Sequence, residues 1–503
     1  MPILESLEAV DGLAMDPALL EEVGRDICIR CRTYPVSLSG NIIVCAAANA
    51  NDELLREALQ LRTGREVEFV KADAPTLEYQ LKRIAGAAGG LEEGGILSDL
   101  IKSEVDINEG SSLEEIKKKS QSEPVIKLVN NLVNQAIHEV ATDIHIEPGE
   151  NLVKVRYRKD GMLKDSMELP KWVQNSLTSR IKILADLDIA EKRLPQDGRI
   201  KWQHDGEAID MRVSTLPTRV GEKVVIRILK HMESVGSLET LGMAPEVFSV
   251  MRQLIHRPQG MIFVTGPTGS GKSSTLYASL REILAKDINV STIEDPIEYR
   301  LDGANQVQIN EKAGLTFAGA LRSLLRQDPD VIMVGEIRDE ETAAIAVQAA
   351  QTGHLVFSTL HTNDAASAVT RLLDLKIKPF LIGSAVLGVL SQRLVRRLCR
   401  QCSVMAPPSA EEKLFLPMLP ELCPAPTGCP ACNGTGYRGR TGIFELLQFD
   451  AGVREAILSG KSESHIKRIS GYKSLVMDGM EKLKQNLTSA GELIRVAVME
   501  AQT

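Results

Sequence analysis

Residues 260–273 read Gly-Met-Ile-Phe-Val-Thr-Gly-Pro-Thr-Gly-Ser-Gly-Lys-Ser. A strand-like apolar run passes into Gly266, Pro267, Thr268, Gly269, Ser270, Gly271, Lys272 and Ser273, and Ser274 continues into a helical pattern. Each residue type here suits a phosphate. The glycines let backbone N–H groups close around the oxygens, and Lys272 brings a point charge to the β/γ-phosphates. Ser273 offers its hydroxyl to Mg²⁺, and the helix behind points its positive N-terminus at the anion. A chance Gly-rich turn would not fill all eight positions between a strand and a helix. The pattern predicts a site for a nucleoside triphosphate such as ATP.

Such a site also needs a group to hold water. Residues 330–336, Asp-Val-Ile-Met-Val-Gly-Glu, read as a strand buried on both faces that delivers Gly335 and Glu336 at its carboxyl end, where open α/β sheets place their ligands. Glu336 is expected to orient and deprotonate the attacking water, with Mg²⁺ contacts through water. Residues 292–299, Thr-Ile-Glu-Asp-Pro-Ile-Glu-Tyr, set Glu294, Asp295 and Glu298 within five positions. Crowded carboxylates repel one another unless a cation is near, and Mg²⁺ is the cation expected. Their strand is read as the neighbour of the strand before the phosphate loop. His354 and His361 bracket a further strand pattern. They could report or relay loss of the γ-phosphate, or be two satisfied core residues.

Arginines recur between 193 and 227: Arg193, Arg199, Arg212, Arg219 and Arg227. Most read as a solvated strand face. Arg212 and Arg227, within Met-Arg-Val-Ser and Val-Ile-Arg-Ile, are the two that could reach a neighbouring site, and an arginine supplied in trans would make hydrolysis depend on assembly. Arg322 and Arg326, spaced four apart on one helix face, are alternative phosphate contacts.

Eight cysteines include two late Cys-x-x-Cys pairs, Cys399/Cys402 and Cys429/Cys432, with 26 residues between them. Four thiolates can close a tetrahedral Zn²⁺ site, although the gap exceeds the usual ribbon spacing; dithiol redox chemistry is the alternative. Cys423 is a spare in the connecting loop, and Cys28 with Cys31 reads as ordinary core or surface thiols.

The elements that must hold these groups follow from periodicity. From about 232 to 396, strands at 260–265, 289–293, 330–334 and 354–359 alternate with helices at 272–285, 317–327, 340–351 and 365–373, which predicts a largely parallel sheet with helical crossovers. Residues 122–232 combine an amphipathic helix, with apolar positions from Val125 to Ile137, and short strands at 143–147, 153–158, 199–203 and 208–213. The turns Lys159-Asp160-Gly161 and His204-Asp205-Gly206 are hairpin signals. Residues 1–85 read as a small α/β unit with strands at 41–47 and 66–70 and helices at 51–62 and 76–84. Residues 86–121, Gly/Ala-rich and then Lys/Glu-rich, read as a mobile linker. The expected divisions are 1–85, 86–121, 122–232, 233–396, a cysteine module at 397–440 and a helical region at 441–503. With 43% hydrophobic and 25% charged residues, the chain has material for several cores. The net charge of −8 and the lack of a basic, aromatic-lined strip argue against nucleic acid as a partner. The apolar stretch 379–390 is too short to span a bilayer. No cationic leader precedes an apolar core, so a cytoplasmic protein is expected, peripheral at most on a membrane.

Residues 266–273, 292–299, 325–339 and 352–364 resemble the Walker A, Asp box, Walker B and His box of the secretion ATPases that power type II secretion and type IV pili. Ala141-Thr-Asp-Ile-His-Ile-Glu-Pro148 and Pro195-Gln-Asp-Gly-Arg-Ile200 resemble that family's second N-terminal domain. The four cysteines match the branch that carries a tetracysteine module, unlike the pilus-retraction and conjugation ATPases. The resemblance is specific over about 123–445 and looser over 1–85. It implies an α/β fold with a RecA-like P-loop ATPase domain. A PAS-like α+β domain and a small N-terminal α/β domain would precede it, with a zinc module and C-terminal helices after it. It implies a homohexamer with sites at subunit junctions, ATP, Mg²⁺ and Zn²⁺ as cofactors, trans contacts from Arg212 and Arg227, and Arg338 within the site. Residues 1–85 would dock on the cytoplasmic domain of a GspL-like inner-membrane protein, and a GspF-like platform protein is a further expected partner. The type II branch is favoured over pilus extension by the short N-terminal region, by Pro195-Gln-Asp-Gly-Arg and by residues 388–396. The Arg-Leu-Gly…Leu-Leu pattern through which some relatives hold cyclic di-GMP is absent from residues 1–35, so that control is not expected.

Overall fold

Where the apolar period changes along the chain, the computed structural model changes element. It describes residues 120–229, 236–284 and 287–499, the stretches 33–47 and 63–71, and scattered positions between 19 and 81. The chain divides into two units, 1–228 and 229–503.

In the first unit, β1 (Thr33–Ser39) runs antiparallel to β2 (Ile42–Ala47), and β2 runs parallel to β3 (Glu66–Lys71). Described positions between 55 and 63 are helical, and Ile43, Cys45, Leu59 and Val67 form the core. The expected linker lies outside the described residues except for its last two. Then α1 (Glu123–His138) buries Val125, Leu128, Val129, Leu132, Val133 and Ala136, the positions its period marks. It covers one face of an antiparallel six-stranded sheet of β4 (Asp143–Pro148), β5 (Leu152–Lys159), β6 (Met162–Pro170), β7 (Gln196–His204), β8 (Glu207–Thr218) and β9 (Gly221–Ile228), in the order β6-β5-β4-β9-β8-β7. Asp160 and Gly161, like Asp205 and Gly206, take positive φ at two-residue hairpins, as the Asp-Gly pairs require. Strand β6 and helix α2 (Gln174–Leu184) were not legible. The first lacks β-branched residues, and the second buries Ser176, Thr178 and Ser179, which blur its apolar face.

In the second unit, α3 (Pro245–Ile255) leads into β10 (Gly260–Thr265) and α4 (Lys272–Ile283). Then come β11 (Val290–Glu294), β12 (Ala304–Gln308), α5 (Phe317–Leu324), β13 (Val331–Val334), α6 (Glu340–Gln351), β14 (Leu355–Leu360), α7 (Ser367–Asp374), α8 (Pro379–Ala385) and β15 (Val386–Leu398). Every residue of β10, β11, β13 and β14 is buried, as expected of parallel strands covered on both faces. Met261 and Phe263 meet α5 and α6 on one face, while Ile262 and Val264 meet α3 and α4 on the other. The sheet order is β12-β11-β13-β14-β10-β15-β18, parallel except for its last strand.

Two expectations change here. The carboxylate strand β11 is not beside β10, because β13 and β14 lie between them. The divisions at 396 and 440 also cut through the sheet. β15 runs to Leu398, and β18 (Tyr437–Gln448) pairs antiparallel along it from Gly388↔Gln448 to Leu398↔Tyr437. The cysteine arm is thus an insertion between the last two strands. It carries β16 (Val404–Ala406), α9 (Ala410–Phe415) and β17 (Cys423–Ala425). Helices α10 (Ala451–Leu458), α11 (Glu463–Ser470), α12 (Leu475–Lys484) and α13 (Ala490–Leu493) follow. Among the described residues, no helix is long and apolar enough to cross a membrane.

Candidate active site

The loop between β10 and α4 has the torsions that its glycines allow. Gly266, Gly269 and Gly271 take φ of +145°, +81° and +89°. At Gly266 a Cβ would lie 2.6 Å from the Gln392 carbonyl oxygen, so only glycine fits. Gly271 caps α4 without any side-chain hydrogen bond, whereas Thr316 and Asp339 cap α5 and α6 with theirs. The first amides of α4 are thereby left for an anion. Thr268, Gly269 and Ser273 are exposed at the mouth. Lys272 Nζ donates to the carbonyls of Gly266 at 2.8 Å and Pro267 at 3.0 Å. Burial, abetted by the Arg393 charge and opposed by that of Glu336, lowers its pKa to about 8.

Glu336 leaves the end of β13 with its side chain 14% exposed. One oxygen is 2.7 Å from the Arg338 guanidinium, and the other is 3.7 Å from His361 Nε2. His361 is held neutral: burial, then the Lys272 charge, lowers its pKa. Lys272, Glu336, Arg338 and His361 therefore converge at the carboxyl ends of β10, β13 and β14, the arrangement needed to hold a phosphate and a water together. Gly335 is pinned by its N–H to Ile293 O (2.8 Å) and by Thr359 Oγ1 on its carbonyl (2.7 Å), which fixes where Glu336 begins.

The acidic segment divides. Glu294 is 4% exposed and accepts hydrogen bonds from Tyr277 Oη, Thr292 Oγ1 and Gln306 Nε2. Three neutral side chains donate to it, and through Tyr277 it ties α4 to β11. Tyr277 stacks edge-on against Tyr299, which is hydrogen-bonded to Ser274. Asp295 is exposed and lies within the field of Arg338, while Glu298 is half-buried. His354 is not brought to the loop. It precedes β14, at the end of the strand away from His361, roughly 20 Å along six residues, and its Nδ1 faces the Ala349 carbonyl at 3.0 Å. Arg322 pairs with Glu341 across α5 and α6, and Arg326 donates to the Arg322 carbonyl at the C-terminal end of α5, so the first ties two helices together and the second closes its own.

In the first unit, Arg193 and Arg219 form exposed pairs with Glu191 and Glu150. Arg212 and Arg227 are cross-strand neighbours, and the register continues the row on either side: Arg199, Arg212, Arg227, Asp143, Arg158. Arg227 Nε is 3.1 Å from Asp143 Oδ1. The row was hidden because its members come from five strands.

The four paired cysteines converge. Their Sγ atoms all lie within 4.8 Å of one another, with 3.8 Å for Cys399–Cys429, Cys402–Cys432 and Cys429–Cys432. Tetrahedral Zn–S bonds of about 2.3 Å separate sulfurs by about 3.8 Å, so the donor set fits zinc. Amides of Cys429 and Gly436 donate to Cys432 Sγ at 3.2 and 3.1 Å. Burial would push the Cys432 thiol up and these two donors draw it down, whereas burial and the neighbouring thiols hold that of Cys429 up. Cys423 is buried outside the cluster. Cys28 is core, and Cys31 lies outside the described residues.

The family of type II/IV secretion system proteins matches residues 118–495, and the MshEN domain matches 7–91. The chain belongs to the type II/IV secretion ATPases. The type II secretion system ATPase E of Vibrio cholerae is 50% identical over 390 residues, covering 76% of this chain and 77% of that one. The type IV pilus assembly ATPase PilB of Thermus thermophilus is 44% identical over 488 residues, covering 95% of this chain. This chain spans only 54% of the length of that relative. PilB of Myxococcus xanthus is 40% identical, covering 95% of this chain and 87% of its own. The pilus retraction motor PilT, solved with bound ADP, matches with a TM-score of 0.52 at 26% identity over 73% of this chain and 95% of that one. As in any such ATPase, Lys272 and Glu336 are the groups to test first. The phosphate loop of this chain also rests on residues that the motifs do not mark. Gln392 and Arg393 of β15 lie behind it, and the signal for them was three consecutive polar residues, Ser391 to Arg393, inside the otherwise apolar run Val-Leu-Ser-Gln-Arg-Leu-Val.

Proposed function

We propose that this chain powers a type II secretion system, hydrolysing ATP to ADP and phosphate as a homohexamer on the cytoplasmic face of the inner membrane to drive pseudopilus assembly. The observation that carries this reading is the 50–52% identity to type II secretion proteins of six bacteria over about three quarters of the chain, against 40–44% to PilB proteins over 95% of it. In this reading Ser273 would hold Mg²⁺, which would supply charge for the phosphates, Glu336 prepares the water, and Cys399, Cys402, Cys429 and Cys432 would hold Zn²⁺. Arg212 and Arg227 complete a neighbouring site. Residues 1–85 dock on the cytoplasmic domain of a GspL-like protein, and a GspF-like platform receives the work; nucleic acid has no part in it.

Pilus extension is the second reading, favoured by the PilB relatives matching 95% of the chain, including its N-terminal region. Deleting the gene and scoring both export and surface pili separates them. Loss of exported enzymes with pili intact supports secretion, and loss of pili with export intact overturns it.

A further inference from the structure

Two residues of β15 bear on the phosphate loop from behind. Gln392 is 2% exposed, beyond the Thr265↔Ser391 end of the β10–β15 pairing, and so stands level with Gly266. Its side-chain Nε2 donates to the Ser270 carbonyl at 2.8 Å, and its Oε1 accepts from Thr275 Oγ1 at 2.7 Å. One amide thus spans the loop backbone and the first turn of α4, and both of its ends are used. Its main-chain oxygen presses on Gly266, and its Nε2 on Gly271, where a Cβ would sit at 2.6 and 3.1 Å. Arg393 is 3% exposed. Its guanidinium donates to the Gln392 carbonyl and to the Asn363 carbonyl, both at 3.0 Å. Asn363 lies two residues beyond His361, which faces Glu336.

We infer that Gln392 and Arg393 are positioning residues for the nucleotide: Gln392 holds the phosphate loop in its binding shape, and Arg393 joins that loop to the segment carrying His361. Neither touches the phosphates; both act through backbone carbonyls. This rests on the chain being an ATPase of its family, and goes beyond the motif residues to the strand that shapes them. The Arg393 charge also lowers the affinity of Lys272 for its proton, so the pair shares in the electrostatics of the site. The alternative, that they are merely core polar residues satisfied by chance neighbours, predicts lost stability without a specific loss of nucleotide affinity.

The test compares Gln392→Glu, Arg393→Lys and Glu492→Gln. The first keeps the acceptor for Thr275 but loses the donor to Ser270. The second keeps the charge but loses the two-carbonyl fork. The third weakens an equally buried polar group that meets Arg396 on the same strand, outside the loop. ADP affinity is measured by titration, and KM and kcat by phosphate release, at a temperature where each variant stays folded. Gln392→Glu should weaken ADP binding and raise KM about 10- to 100-fold. Arg393→Lys should lower kcat more than it raises KM, because the His361 segment loosens. Glu492→Gln should melt earlier with wild-type KM. Wild-type affinity and kcat in the first two variants overturn the inference, as does an equal loss in all three.

Should the variants not fold, hydrogen exchange on the wild type decides. ADP should protect residues 386–398 together with 266–275, and protection of the loop alone overturns it. Absence of ATP hydrolysis in the wild-type hexamer would instead refute the ATPase reading, and the ADP titration tells the two failures apart.

Discussion

Raising the pH should weaken ADP binding by removing one charge, that of Lys272. Burial is the main force that lowers its pKa to about 8, and the Arg393 cation adds to it while the Glu336 carboxylate resists. An anion favours the protonated lysine, so affinity must fall as pH rises through that value. With a pKa of about 8, roughly nine tenths of the chains carry the charge at pH 7 and roughly one tenth at pH 9. ADP affinity should therefore drop about 10-fold between these pH values and keep falling by about 10-fold per unit above them, until the lysine-free binding mode takes over. His361 does not contribute, since its pKa is lowered from the ordinary histidine value and it is neutral throughout this window. A terminal phosphate such as that of ADP ionises near pH 6, so it is about nine tenths charged at pH 7 and gains little further charge across the window.

Fluorescence titration of ADP at constant ionic strength, from pH 7 to 9.5, reads this directly. Two variants give the sign. Lys272→Arg keeps its charge across the range, so its weaker binding should be flat with pH. Glu336→Gln removes the carboxylate that favours the charged lysine, so its inflection should move to lower pH. A wild-type affinity flat from pH 7 to 9.5, or an inflection that rises in Glu336→Gln, would refute the placement of Lys272 in a buried site coupled to Glu336.

Other expectations are more direct. Glu336→Gln should bind ATP but hydrolyse it about 10²- to 10⁴-fold more slowly, measured as phosphate release; undiminished turnover removes Glu336 from the chemistry. Lys272→Ala should abolish both binding and turnover. Metal analysis of the purified chain should find about one zinc per chain, and chelation should lower the melting temperature because the clip joins the ends of β15 and β18; metal-free protein with unchanged melting overturns the four-cysteine site. Glu492, buried between Arg396 and Arg495, has its pKa lowered to about 2: burial opposes ionisation, but hydrogen bonds from both arginines outweigh it. Its folded pKa is depressed, so its stabilisation is present above about pH 4.5 and lost as pH falls toward 2. Glu492→Ala should cost about 3 kcal/mol in urea unfolding at pH 7, and a cost below about 1 kcal/mol would show the pair to be solvent-screened.

What could be read in the sequence, and what could not, follows from how far apart the cooperating residues lie. The phosphate loop was legible because its torsions are local: glycine at 266, 269 and 271 meets a backbone need that the chain itself states. The same holds for Asp160-Gly161 and for α6, whose bounds at Glu340 and Gln351 match the expected ones, with Asp339 as cap. Strand order is not local. The acidic segment ends a buried strand just as Glu336 does, so sequence alone set Glu294 beside the phosphate. The structure interposes β13 and β14 between its strand and β10, and gives Glu294 donors from Tyr277 and Gln306. His354 and His361 are alike in the sequence and flank one strand, yet a parallel sheet gathers chemistry at one end only, and so His361 meets Glu336 while His354 meets a helix end. Gln392 lies 117 positions from Thr275 and 122 from Ser270, and no local pattern joins them. A motif names the residues that face the ligand. The residues that hold those motifs in shape come from whichever strand the topology places next to them, and here that strand is β15, which also runs directly into Cys399 and the four-cysteine arm.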